Sequence, residues 1–148
     1  MADWKERKLR DIGCSFLSGY AFKSSDYRTS GIPLIKIGNI QNRNVFVNAD
    51  GDFISTKLLN DKVSKYLVKN KDVLIAMTGQ GSVGRVGMLR TRNSEKILLN
   101  QRVGKFICNE KDLNIDYLYF VLTSEKYQDL LFNTGAGSGQ PNLSVTIP

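Results

Sequence analysis

Through the middle of the chain, apolar residues come in short runs bounded by turn residues, which is the pattern of strands. Ile32-Pro33-Leu34-Ile35-Lys36-Ile37 lies between Gly31 and Gly38, and Pro33 suits the beginning of a strand or a sheet edge. Val45-Phe46-Val47 follows the polar stretch Asn39 to Asn44. Turn chemistry from Asn48 to Asp52 closes it, and Phe53 and Ile54 continue the sheet. The clearest strand is Val73-Leu74-Ile75-Ala76-Met77, a continuous apolar run entered from the polar turn Lys69 to Asp72 and short enough for a buried strand. Met88-Leu89, Ile97-Leu98-Leu99 and Val103 to Cys108 resume the same content.

Helical spacing is weaker and comes late. Ser55 can cap a short helix through about Lys65, where Leu58, Leu59 and Val63 recur. Asn114 or Asp116 can cap a longer one running through Asn133, with an apolar face of Tyr117, Phe120, Val121, Tyr127, Leu130 and Leu131 and with Gly135 just past its end. Trp4, Leu9 and Ile12 in the charged opening segment can pin the amino terminus to the body. Many strands followed by a helix predict an α+β fold: a mixed, largely antiparallel sheet globule with few helices, ending in a long helix and a glycine-rich loop over Gly135 to Asn142. No repeat or linker divides residues 1–148, so a single domain is expected. The short stretch Leu143 to Ile147 before Pro148 has strand character, and so abrupt an end suggests a piece of a longer polypeptide.

Charge narrows the partner. Lysine and arginine number 21 against 14 acids, a net +7, which favours a polyanion, nucleic acid first and an anionic membrane surface second. Excess lysine can equally serve solubility alone. No apolar run approaches the roughly 18 residues of a membrane helix, so a soluble chain is expected. Histidine is absent, which removes Ser-His-Asp and Cys-His catalysis and the commonest transition-metal ligand. Cys14 and Cys108 are far apart in sequence, have no zinc-site spacing and follow no secretory signal, which points to reducing cytoplasm. A hydrolase would have to rest on carboxylates such as Asp50, Asp52 and Asp72 gathered around a divalent metal.

Gly79-Gln80-Gly81-Ser82-Val83-Gly84 matches G-x-G-x-x-G after a strand, but Arg85-Val86-Gly87-Met88 is poor material for the helix that dinucleotide binding needs. The same stretch lacks the Lys-Ser/Thr of a phosphate-binding loop, and neither Ser82 nor Ser138 sits in G-x-S-x-G. What remains is a loop of small residues carrying Thr78, Gln80, Ser82 and Arg85. Similar clusters hold Asn39, Gln41, Asn42, Arg43 and Asn44, then Asn100, Gln101 and Arg102, then Ser138, Gln140 and Asn142. Amides favour turns in any protein, yet Gln-Arg and Gln-Asn pairs add little to a turn and suit hydrogen bonding to base edges and phosphates.

In order along almost the whole chain, these residues resemble the target recognition domain of type I restriction-modification specificity subunits. The resemblance rests on Trp4, Lys8-Leu9 and Asp11-Ile12, then Gly19-Tyr20-Ala21-Phe22-Lys23-Ser24 and Tyr27. Gly31-Ile32-Pro33-Leu34-Ile35, Ile37-Gly38-Asn39-Ile40, Asp72-Val73-Leu74-Ile75, Thr78-Gly79, Gly84-Arg85-Val86, Asn100-Gln101-Arg102-Val103, Tyr117-Leu118-Tyr119 and the stretch from Gly135 to Ser144 follow. Each motif is short, and their order carries the specificity.

The resemblance implies a non-catalytic domain that grips half of a split DNA site. In such systems a methyltransferase subunit modifies adenine with S-adenosylmethionine, and a motor-nuclease subunit uses ATP and Mg2+. No cofactor is implied for this chain itself. Complete members carry a second recognition domain and long spacer helices, which are absent from this sequence, and half-length forms can pair. Within that frame Asn42, Arg43, Gln80, Ser82, Arg85, Gln101, Arg102, Gln140 and Asn142 are the expected base or backbone contacts, with Lys36 and Lys105 as phosphate partners. The competing class is a protein-interaction module whose charge serves solubility.

Overall fold

Val73 to Ala76 is apolar at every position because the strand it forms is covered on both faces. In the computed structural model, which describes Asp11 and residues 14–48, 51–79, 81–92 and 94–135, Val73 and Ile75 pack with Val86, Met88, Phe106, Leu118, Leu122 and Leu131. Leu74 and Ala76 point the other way, into a cluster with Ile35, Ile97, Leu99 and Val103. The alternation of period two is intact, but neither side meets water. Ile97-Leu98-Leu99 repeats the arrangement: Ile97 and Leu99 join that second cluster, and Leu98 joins a third with Phe22, Ile32, Leu34, Ile54 and Val63. Each of these large side chains contributes about 1.5–3 kcal/mol by leaving water, so the sheets are fixed mainly by burial.

The described strands are β1 Cys14–Ser18, β2 Tyr27–Arg28, β3 Ile32–Ile35, β4 Ile40–Gln41, β5 Asn44–Val45, β6 Phe53–Ile54, β7 Leu67–Val68, β8 Val73–Ala76, β9 Val86–Met88, β10 Ile97–Leu99 and β11 Val103–Cys108. Helix α1 is Asp61–Ser64, α2 is Ile115–Thr123 and α3 is Glu125–Gly135. A six-stranded sheet runs β1-β11-β8-β9-β5-β4 and a five-stranded sheet β2-β6-β3-β10-β7. Among the described strands, only β3 with β10 and β5 with β9 pair in parallel; the other strand pairings are antiparallel, as expected for a mixed, largely antiparallel α+β fold. The layers are α2 and α3, the six-stranded sheet, the five-stranded sheet, and an outer cover that includes Phe22 and Val63 of α1. No helix among the described residues is long and apolar enough to cross a membrane.

Several local expectations change. The expected helix from Asn114 to Asn133 is two helices. Asn114 does cap α2, accepting from the Tyr117 N–H at 3.1 Å. Ser124 then takes extended backbone, and its hydroxyl accepts from the Tyr127 N–H to start α3. The break shifts the buried stripe to Ile115, Leu118, Tyr119 and Leu122, spaced i, i+3, i+4, i+7. Tyr117 and Phe120, expected inside, are 55% and 70% exposed, and Leu130 also faces outward, while Leu131 is buried as expected.

The helix expected from Ser55 to Lys65 is a 3-10 turn at Thr56–Leu58, capped by Ser55, followed by the single-turn α1, capped by Asn60. Phe46 and Val47 leave the sheet after Val45 and are exposed. Cys14 and Cys108 are not isolated thiols: they stand directly opposite each other in the β1–β11 register and are joined in a disulfide, so they no longer argue for a compartment.

Candidate nucleic-acid interface

Strand direction gathers three of the four amide-rich clusters. β3 and β10 are parallel, so the segments after Ile35 and after Leu99 emerge at the same end of the five-stranded sheet, where the Asn100 N–H donates to the Ile35 carbonyl at 3.0 Å. The segment after β8 reaches the same end, because the Met77 N–H donates to the Arg102 carbonyl at 2.9 Å. Residues 36–44, 77–79, 81–85 and 100–102 thereby form one edge spanning both sheets.

The first segment is a tight hairpin. β4 and β5 pair Gln41 with Asn44, leaving Asn42 and Arg43 as a two-residue turn with φ of 50° and 66°. Two successive left-handed residues make a type I′ turn, whose twist matches the strands it joins. Asparagine tolerates that region, whereas arginine there gives up about 1–2 kcal/mol relative to right-handed backbone, so its neighbours must hold it. They do: the Arg43 carbonyl accepts from Tyr119 Oη at 2.8 Å and from the Met88 N–H at 3.3 Å. Upstream, Asn39 Oδ1 accepts from the Lys36 N–H and its Nδ2 donates to the Phe46 carbonyl, closing the base of the hairpin. The side chains of Asn42 and Arg43 are exposed.

The glycine loop connects β8 to β9. Gly79, Gly81 and Gly84 all have positive φ, between 76° and 106°, which explains the G-x-G-x-x-G spacing as backbone geometry. A Cβ on Gly84 would lie 3.0 Å from the Leu131 Cβ, so α3 packs directly onto the loop, and Gln128 Nε2 donates to the Gly84 carbonyl at 2.9 Å. Arg85 does not reach outward as expected. Its guanidinium donates to Gln41 Oε1, the Ile37 carbonyl and Ser82 Oγ at 3.3, 3.3 and 3.0 Å, bracing the hairpin against the loop. Arg85 Nε and Thr78 Oγ1 are buried here without a hydrogen-bond partner.

The third segment is the turn from Asn100 to Val103. Buried Asn100 accepts the Arg102 N–H on its Oδ1 at 3.0 Å, leaving Gln101 and Arg102 exposed. Lys36 lies nearby, paired with Asp52 at 2.7 Å and 5.2 Å from the centre of the Tyr27 ring.

The structure therefore brings together Lys36, Asn42, Arg43, Ser82, Arg85, Gln101 and Arg102. Lys105 is not among them. It sits within β11, donating to the Leu67 carbonyl at 2.9 Å beside Asp72, which precedes β8 and so lies at the opposite end of that strand. Burial pulls the Lys105 amine below its ordinary range, against the attraction of Asp72. Gln80, Gln140 and Asn142 lie outside the described residues. Of the three acids considered for metal chemistry, Asp52 pairs with Lys36, Asp72 accepts the Lys69 N–H, and Asp50 lies outside the described residues. Sequence reasoning missed Tyr119 and Gln128, whose partners are 76 and 44 residues away. The signal for Tyr119 was its place in the Tyr117-Leu118-Tyr119 motif, and the i, i+3, i+4, i+7 stripe of α2 that contains it emerges once the helix break is known.

The chain matches the family model of the type I restriction modification DNA specificity domain over residues 1–147. It is 27% identical over 147 residues to the type I restriction enzyme MjaVIII specificity subunit of Methanocaldococcus jannaschii, covering 98% of this chain and 34% of that protein. It thus spans about a third of the length of that relative. Among solved structures it resembles a chain from a study of complex assembly and conformational transition in a type I R-M system, with TM-score 0.66, 15% identity, and coverage of 97% of this chain and 33% of that one. The type I restriction-modification S subunit from M. genitalium gives TM-score 0.61, 13% identity, and coverage of 97% and 32%. At these identities the structures speak for a shared fold.

Proposed function

The chain belongs to the family of type I restriction modification DNA specificity domains, and from that premise we propose that it reads one half of a split duplex DNA sequence without carrying out chemistry itself. The observation that carries this reading is the convergence of three loops at one end of the two sheets, with Asn42, Arg43, Gln101 and Arg102 exposed there on backbone that is held. Arginine can donate twice to guanine and asparagine or glutamine can pair twice with adenine, while Lys36 and the net charge of +7 supply salt-sensitive grip on phosphates. Methylation and cleavage then belong to partner subunits, a methyltransferase with S-adenosylmethionine and a motor-nuclease with ATP and Mg2+. The complex works in the cytoplasm without a membrane, either with a second recognition domain or with two copies of this chain supplying both half-sites.

A protein-docking role has its own support in the exposed Tyr117, Phe120 and Leu130 on the helical layer. One experiment separates the two: binding of the 148-residue chain to random duplex DNA across a salt series, with recovery of the bound sequences. Enrichment of a short motif of about three to five base pairs is the expected result. No binding even at low salt puts the docking role first.

A further inference from the structure

The two side chains that tie the reading loops to the helical layer both grip backbone carbonyls. Tyr119 Oη donates to Arg43 O at 2.8 Å, at the hairpin tip, where φ is 66° and the same carbonyl also accepts from the Met88 N–H at 3.3 Å. Gln128 Nε2 donates to Gly84 O at 2.9 Å and to Leu122 O at 2.8 Å, joining the glycine loop to α2. Because the carbonyls are fixed, the Arg43 side chain stays free for a partner while its origin cannot wander. A bidentate contact to a base edge tolerates little displacement, whereas a phosphate contact made by a long cationic side chain tolerates much more.

We propose that Tyr119 and Gln128 are positioning residues that set base discrimination by holding the 41–44 hairpin and the 81–85 segment of the glycine loop in place. This role rests on the DNA reading proposed above. It makes the helical layer the alignment device of the reading edge, and it separates selectivity, which depends on these two hydrogen-bonding groups, from affinity for random duplex, which does not.

Tyr119→Phe deletes one hydroxyl and keeps the packed ring, and Gln128→Met keeps length while removing both donors. The test compares each variant with the unaltered 148-residue chain in affinity for the selected sequence, affinity for random duplex, and the slope of log K against log salt. Thermal unfolding checks that each variant is folded, and Tyr119→Phe alone carries the test should Gln128→Met melt. The expected result is a three- to tenfold fall, roughly one hydrogen bond's worth, in the ratio of selected to random affinity, with random affinity and salt slope unchanged. Amide hydrogen exchange in the free Tyr119→Phe chain should quicken at residues 41–45. An unaltered ratio, an equal fall in both affinities, or unchanged exchange overturns the proposal. A parent chain that selects no sequence overturns the DNA reading and this role with it; a parent that selects while both variants match it overturns this role alone.

Discussion

Lys36, Arg85 and Arg102 gather at one end of the two sheets and Lys105 lies by the start of β8, yet their neighbours give them different work. At the first end, cations and amides hold backbone or face outward: Arg85 spans Gln41, Ile37 and Ser82, and Arg102 is exposed on a turn built by Asn100. At the second, Lys105 and Asp72 are drawn out of water together, and burial disfavours the charged form of each. Net charge describes both ends equally well, so it locates neither. What distinguishes a surface that can meet a polyanion is whether its cations lie at exposed turns or are enclosed beside an acid.

The strongest way to break this contrast is through the glycines that shape the first end. Gly81 and Gly84 both have left-handed backbone, at φ of 76° and 87°, but a Cβ meets nothing within 4 Å at Gly81 and lies 3.0 Å from the Leu131 Cβ at Gly84. Gly81→Ala should cost about 1–2 kcal/mol from backbone alone, and Gly84→Ala about 2–4 kcal/mol because α3 must also shift. Urea unfolding measures both. Equal losses at the two sites mean that α3 does not brace the loop. Next in size is a matched removal of one charge from each end. Arg102→Ala should weaken DNA binding by about 1–3 kcal/mol if it meets a base, or lower the salt slope by about one if it meets a phosphate. Lys105→Met should leave both quantities unchanged in the folded protein, and a loss as large as that of Arg102→Ala defeats the assignment of the two ends.

Legibility in the sequence followed burial. Val73 to Ala76 and Ile97 to Leu99 announce themselves because both faces of those strands are covered and no polar residue interrupts them. β1 does not: Phe16 and Leu17 sit between serines and glycines, and the strand is recognisable only by its pairing with β11, some ninety residues away. Two-residue strands such as β4 and β7 hold too few positions for any period. At the reading edge, residue type marked Asn42, Arg43, Gln101 and Arg102, because long hydrogen-bonding side chains on turns are visible without a fold. It could not show that Arg85 is a brace or that Lys105 faces Asp72, since those roles come from partners distant in sequence.

The smallest expected effect tests the enclosed end by pH. Burial raises the Asp72 carboxyl above its ordinary value of 3.8, and the Lys69 N–H and the nearby charges of Lys105 and Lys69 pull it back only in part. The folded chain therefore holds this proton more tightly than the unfolded chain. Between 3.8 and the raised value the folded state carries more protons, so this group's contribution to stability grows as pH falls through that window and is lost as pH rises out of it. The amine of Lys105, lowered by burial, acts in the opposite sense, its contribution growing as pH rises through the interval below 10.5. Asp72→Asn keeps an oxygen for the Lys69 N–H and removes the titration. Its stability relative to the parent chain should be most favourable near neutral pH and decline as pH is lowered through the Asp72 window, which equilibrium unfolding at a series of pH values will show. A difference that stays flat means that the Lys69 N–H and the attraction of Lys105 balance burial, and one that turns in favour of the variant on the acid side means that they outweigh it. The second end would then be an ordinary ion pair, no more enclosed than Lys36 with Asp52.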